Sequence, residues 1–222
     1  MRLNQYLAQV TGFSRRGADL LIQEGKVSVN NQPAKLGVQV GPSDEVRLEG
    51  RLLSTPQHLT IMFNKPIGVV TSRRQQGDTP TIYAQLPERL RRLKPVGRLD
   101  KDSSGLLILT SDGELAQRLS HPSRGKWKRY EIQTDRPLTK AQLKEITQGI
   151  ELEDGASHMQ VTPLNTGYQV RLQEGRNRQI RRTIAALGRT VVQLHRTDLG
   201  SLSLGSLGVG EWREMRPEEL AV

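Results

Sequence analysis

Asp100 closes the stretch Gly97-Arg98-Leu99-Asp100, which runs at once into Lys101-Asp102-Ser103-Ser104-Gly105 and the apolar segment Leu106-Leu107-Ile108-Leu109-Thr110. An arginine and an aspartate therefore stand two residues apart, at the mouth of a segment apolar enough to be a buried strand. A carboxylate at the lip of a sheet beside a cation is hard to desolvate, and chains keep such arrangements mainly at functional sites. The bland alternative is a solvated surface turn. Other chemistries have little to work with. The four histidines, His58, His121, His158 and His195, are far apart with no partner at metal-ligand spacing, so no metal site is expected. The chain has no cysteine, which removes thiolate nucleophiles, disulfides and thiolate zinc sites. No phosphate-binding glycine loop or nucleophile elbow is present; the glycines from Gly200 to Gly210 lack the lysine and the spacing. What remains is carboxylate chemistry supported by arginine. Asp102 raises the idea of a paired-carboxylate glycosidase, but such pairs come from separate elements and this segment reads as one loop. Asp102 is therefore assigned a structural role.

A second cluster lies between Arg171 and Arg196, with seven arginines against one acid, Glu174. Gly175-Arg176-Asn177 breaks the strand ending near Leu172, and Asn177 is predicted to cap a helix running to Gly188. Ile180, Ile184 and Leu187 form its apolar face, with Arg178, Arg181 and Arg182 roughly opposite. Cations crowded at a helix start repel one another and oppose its dipole, and a bound phosphate or a buried carboxylate would relieve both problems. Tyr130, in Lys128-Arg129-Tyr130-Glu131-Ile132, shares a strand face with Ile132. It reads either as a core residue or as a platform on which a base stacks.

The elements that would position these residues fall into two parts. Leu3, Tyr6, Leu7 and Val10 have helical spacing up to Gly12, and Ser14 is predicted to cap a second helix through Arg15, Arg16, Ala18, Leu21 and Ile22 as far as Gly25. Short strands are expected at 27–29, 38–40 and 46–48, with turns at Asn30-Asn31 and Pro42-Ser43-Asp44. Arg15 and Arg16 sit in the first turn of a helix, where the dipole disfavours cations, as if awaiting an external anion. Residues 51–58, with Ser54-Thr55-Pro56, read as a linker. Beyond it, strands near 59–63, 106–110, 129–134 and 169–172 alternate irregularly with helices capped at Asp112 and by a Thr139/Gln142 box. This pattern predicts an α+β fold: a small α+β module over 1–50, then a catalytic domain over 59–222 built on a mixed, largely antiparallel sheet with flanking helices.

The whole chain of 222 residues carries a formal charge of +10 and a pI near 10.3, which favours a polyanionic partner through counterion release. No segment approaches the roughly 20 apolar residues that span a bilayer, and the first residues lack a signal core. A monomer in the cytoplasm, with no membrane contact, is the expectation.

Ser14-Arg15-Arg16-Gly17-Ala18 followed by Leu21-Ile22-Gln23-Glu24-Gly25-Lys26-Val27-Ser28-Val29-Asn30 resembles the small RNA-binding domain named after ribosomal protein S-four. Lys65-Pro66-Ile67-Gly68, Gly97-Arg98-Leu99-Asp100 through Gly113, His121-Pro122-Ser123 with Lys128-Arg129-Tyr130, and Glu174 through Arg182 resemble, in order, the motifs of the RsuA branch of pseudouridine synthases. Departures are Thr183 where methionine is common and Gly125-Lys126-Trp127 before Lys128. The resemblance implies isomerisation of a uridine in a structured stem-loop of ribosomal RNA, free or in an assembly particle, with a weak lean to the large subunit. It implies no cofactor or metal. Asp100, Tyr130 and Arg181 take the catalytic positions, with Arg181 expected to pair with Asp100 and Tyr130 to stack on the flipped base. Arg98 is expected to help displace that base and Ile180 to pack in the pocket. Lys65, Lys128, Arg178 and Arg182 are expected to contact substrate, and Arg15 and Arg16 to grip RNA. A non-catalytic RNA-binding protein in ribosome assembly or translational control is the alternative, and it leaves Asp100 without a purpose.

Overall fold

The computed structural model describes residues 1–41, 43–54, 58–75, 77–120 and 126–220, and the chain divides into two compact units, Met1–His58 and Leu59–Val222. In the first, Leu3–Thr11 (α1) and Arg15–Gln23 (α2) share a core with a four-stranded sheet of Val27–Val29 (β1), Gln32–Pro33 (β2), Val46–Leu48 (β3) and Arg51–Leu52 (β4). Its order is β2-β1-β3-β4. Gly12 ends α1 in the left-handed conformation (φ 80°), and the Ser14 hydroxyl accepts the Gly17 N–H at 3.0 Å. The predicted strand at 38–40 does not form; Gln39 makes only an isolated bridge with Arg2. The reason is the Asn30-Asn31 turn, whose two positive φ angles (50° and 63°) fold the chain straight back and give β2 the edge of β1. Part of the Pro42 turn and of the predicted linker lies outside the described residues, and the start of that linker is β4.

The second unit is built on a nine-stranded sheet. Its strands are Thr60–Lys65 (β5), Lys94–Val96 (β6), Ser104–Thr110 (β7), Lys128–Thr134 (β8), Gln160–Pro163 (β9), Tyr168–Leu172 (β10), Val191–Leu199 (β11), Leu202–Ser203 (β12) and Trp212–Glu214 (β13). The order is β13-β5-β7-β11-β8-β10-β9, with β6 on β7 and β12 on β11; only β7 and β11 run parallel. Helices are Gly113–Ser120 (α3), Lys140–Gln148 (α4), Gln179–Ala186 (α5) and Pro217–Leu220 (α6). Asp112 caps α3 through the Glu114 and Leu115 N–H groups, and Thr139 with Gln142 forms the capping box of α4, both as the sequence predicts. No helix among the described residues is long and apolar enough to cross a membrane.

Burial along the strands shows where the sheet is covered. β5 and β7 are buried at every position, because Ile61, Phe63, Leu107 and Leu109 face one apolar cluster and Met62, Leu106 and Ile108 face another. β8 alternates instead, with Tyr130 and Ile132 buried and Glu131 and Gln133 exposed, the pattern of a strand covered on one face. Strand β11 escapes sequence reading because register shifts between Val191 and Gln193 and between Arg196 and Asp198 break its alternation. Those bulges leave Leu194 and Arg196 opposite Ile132 and Tyr130. α5 also differs from expectation. It begins after Arg178, which adopts a left-handed conformation (φ 48°), and Asn177 caps nothing.

The parallel contact of β7 with β11 depends on Gly105. Its φ is 107°, and a Cβ there would collide with the backbone of Arg196. Gly105→Ala is expected to lower stability by at least about 3 kcal/mol. Gly97→Ala, at a left-handed glycine with open space around it, should cost only about 1–2 kcal/mol. Denaturant midpoints at unchanged slope check both.

Candidate active site

The loop 97–103 between β6 and β7 is fastened from beneath. Lys65, at the end of β5, is fully buried, and its Nζ donates to the carbonyls of Pro66 (2.9 Å), Asp100 (3.0 Å) and Ser103 (2.7 Å). The Gly68 N–H donates to the Lys101 carbonyl at 2.7 Å, and the Thr71 hydroxyl to that of Leu99 at 2.9 Å. Three carbonyls around one ammonium use all its donors. Burial pushes the Lys65 amine down to about 8, against the partial support of Asp100 and Asp102.

A second set of contacts brings the start of α5 to the same loop. Arg178 donates from Nη1 and Nη2 to the two carboxylate oxygens of Asp102 (3.0 and 2.8 Å), and its Nη1 lies 3.7 Å from Asp100 Oδ2. Arg181 donates to the backbone carbonyls of Asp102 and Val191, both at 2.7 Å, with Nε 3.2 Å from Asp102 Oδ2 but not aligned for a hydrogen bond. The hydrogen bonds of Arg178 hold the Asp102 carboxyl below the usual carboxylate range, with Arg181 adding to the effect. Arg182 turns away and forks onto Asp154 (2.9 and 2.8 Å), which Arg176 also contacts. Gln179 reaches Ser157 and Glu174, fixing the first turn of the helix.

Between the loop, the sheet floor and α5 lies a cavity of about 620 Å³, within the size range of small-molecule sites (about 300–1,000 Å³). Asp100 and Arg98 stand on one wall, Arg178, Ile180 and Arg181 on another, and Tyr130, Leu172, Leu194 and Arg196 on the sheet. Arg98 is exposed. Lys128 lines the cavity with its Nζ given to the carbonyls of Gln173 and Glu174, both at 3.0 Å. Burial and then the neighbouring Arg196 hold that amine below the ordinary lysine value. Among the described residues no His, Asp and Glu side chains converge as a metal site. Arg15 and Arg16 lie in the first unit, exposed on the first turn of α2.

Asp100, Tyr130, Arg98, Ile180, Arg178, Arg181 and Lys128 thus share one cavity, whereas two expected substrate contacts do not reach it. Lys65 lies beneath the loop with every donor engaged by backbone, and Arg182 is held by Asp154. The expected pairing of Arg181 with Asp100 is also corrected. Arg181 is committed to Asp102 and to Val191, and the guanidinium nitrogen 3.7 Å from Asp100 belongs to Arg178. The His121-Pro122-Ser123 segment lies outside the described residues. Sequence reading missed Leu194 and Arg196. A faint signal existed, since period-two spacing from Leu194 puts Arg196 on the apolar face.

Residues 59–186 match the family model described as RNA pseudouridylate synthase, and residues 1–46 match that of the S4 domain. The full chain is 37% identical, over 230 residues, to an Aquifex aeolicus protein called an uncharacterized RNA pseudouridine synthase, 92% of which is covered. It is 34% identical to the ribosomal large subunit pseudouridine synthase B of Bacillus subtilis, with 99% of this chain and 93% of that protein covered. A crystal structure of a pseudouridylate synthase matches with a TM-score of 0.69 at 31% identity, covering 99% of this chain and 98% of the other.

Replacing Lys65 with methionine strands three carbonyls and should cost about 2–4 kcal/mol. The pH dependence has a definite sign. Between about 8 and the ordinary lysine value of 10.5 the folded chain has released the Lys65 proton while the unfolded chain keeps it. Stability from this group therefore rises with pH across that window. The stability of wild type minus Lys65→Met, measured by denaturation at several pH values, should widen from pH 8 to pH 10.5.

Proposed function

Because the chain belongs to the RNA pseudouridylate synthase family, we propose that it converts a uridine of large-subunit ribosomal RNA to pseudouridine, with Asp100 as the reacting carboxylate. The observation that carries the reading is the position of Asp100: it faces the cavity that Tyr130 and Ile180 line, with Arg178 Nη1 3.7 Å away. The reaction breaks the bond from uracil N1 to the sugar C1′, turns the base, and joins C1′ to C5. Attack on C1′ and removal of a sugar proton both need an ionised carboxylate.

The remaining residues supply recognition. A base paired in a stem must be extruded at a cost of a few kcal/mol, and the flat face of an aromatic side chain repays part of it by stacking. Tyr130 provides that face, with Leu172, Leu194 and Ile180 excluding water around it. Arg98, which lines the cavity and is exposed, is the residue we assign to the gap left in the stem. Arg15 and Arg16, which form no ion pair among the described residues, suit phosphates of structured RNA. The large-subunit assignment is supported by the name of the Bacillus subtilis relative and by its coverage along nearly the whole of both chains.

Asp100→Asn is expected to slow turnover at least about 10³-fold while RNA affinity stays within about twofold, since the substitution removes a charge from the cavity and not a phosphate contact. Carbodiimide labelling of ribosomal RNA with primer extension, in strains with and without the protein, locates the target as a stop that disappears on deletion. An active Asp100→Asn protein overturns the assignment of the carboxylate, and unchanged stops favour a binding protein without catalysis.

A further inference from the structure

Arg196 is a buried guanidinium without an anion to face. It is 3% exposed and lies on β11, opposite Tyr130 of β8 and beside Gly105 of β7. The pairing puts its side chain on the sheet face shared with Tyr130 and Leu194, and all three line the cavity with Asp100. Its Nε donates to the Leu106 carbonyl at 2.8 Å, whereas Nη2 is buried with no hydrogen-bond partner. Arg196 forms no ion pair among the described residues, and its charged neighbour is Lys128, of the same sign. A desolvated cation with a spare donor is strongly unfavourable unless an anion arrives.

The chemistry supplies one. When the C1′–N1 bond breaks, its electron pair leaves with uracil, and the negative charge spreads over N1, O2 and O4. Asp100 either adds to C1′ or takes a sugar proton; in both cases uracil departs as an anion. Re-attachment through C5 uses the same electron pair, after which the C5 proton is lost and N1 gains one, so the product is an isomer and no oxidant or reductant enters. Leu172, Leu194 and Leu199 line the same cavity, and apolar lining suits a flat ring better than a hydrated phosphate. We propose that the Arg196 guanidinium donates to a carbonyl oxygen of the target uracil and stabilises the uracil anion formed on glycosidic cleavage. The inference rests on the pseudouridine synthase reading above. It gives Arg196 a part in stabilising the charge that develops in the transition state, where a fixed donor in a dry site acts most strongly.

The test compares two substrates on the same protein: a target stem-loop with uridine at the reacting position, and one with 5-fluorouridine, whose fluorine stabilises the same anion. Disappearance of the N-glycoside is followed in single turnover, together with RNA affinity. Arg196→Met is expected to slow the uridine substrate about 10²–10³-fold and the fluorinated one at least about tenfold less, because less stabilisation is then asked of the protein. Affinity should be unchanged. Partial misfolding lowers both rates alike and leaves their ratio intact. If Arg196→Met does not fold, Arg196→Gln, which keeps an amide donor but no charge, gives the same comparison. Equal losses on the two substrates, or weaker RNA binding at an unchanged rate, overturn the proposal. A wild-type protein that leaves uridine untouched would instead defeat the reading beneath it.

Discussion

Lys65 donates from the buried end of β5 to the carbonyls of Pro66, Asp100 and Ser103, and through that cluster the loop bearing Asp100 is tied to the centre of the sheet. Gly68, Thr71 and the arginines at the start of α5 hold the same loop from its other sides. Catalytic geometry tolerates displacements of well under an ångström, so a carboxylate on a loop needs an anchor of this kind. The ammonium meets the need because two of its protons replace hydrogen bonds the loop would otherwise make to water. The arrangement explains why a lysine sits at a strand end with no exposure at all.

A second constraint is the distribution of charge. The arginines around α5 do not form a free basic face: Arg178 and Arg181 are committed to Asp102, and Arg176 and Arg182 to Asp154. Those carboxylates fix the helix start, and the fork of Arg178 onto Asp102 offsets its left-handed backbone, which costs about 1–2 kcal/mol. The arginines left without acidic partners among the described residues include Arg15 and Arg16 on the first unit, Arg98 at the rim and Arg196 in the floor. Rim and surface arginines suit phosphates and a vacated stack. A buried one suits charge that develops during reaction.

Features set by neighbours in sequence were legible. Ser14, Asp112 and Thr139 cap helices because their side chains reach N–H groups two or three residues away, which the order of residues alone determines. The two-unit organisation followed similarly from changes in pattern, and the membership of Asp100, Tyr130 and Ile180 in one site came from motif resemblance. Partner choice was not legible. Whether Arg181 meets Asp100 or Asp102 is set by contacts between segments far apart in sequence, and the structure puts it against Asp102. Lys65 reads as a substrate contact until the loop is seen folded over it. Arg196 reads only as one arginine of a basic cluster, because two bulges hide the strand that buries it.

If this cavity isomerises uridine with the chain's own residues alone, the purified protein should act with a metal chelator present and no cofactor added. The decisive substrate is ribosomal RNA carrying tritium at C5 of its uridines. Joining C1′ to C5 expels the label, so release of tritium from large-subunit RNA, saturating at about one equivalent for a single modified site and absent from small-subunit RNA, is the expected result. Full retention of the label in RNA that the protein binds would rule out the isomerisation.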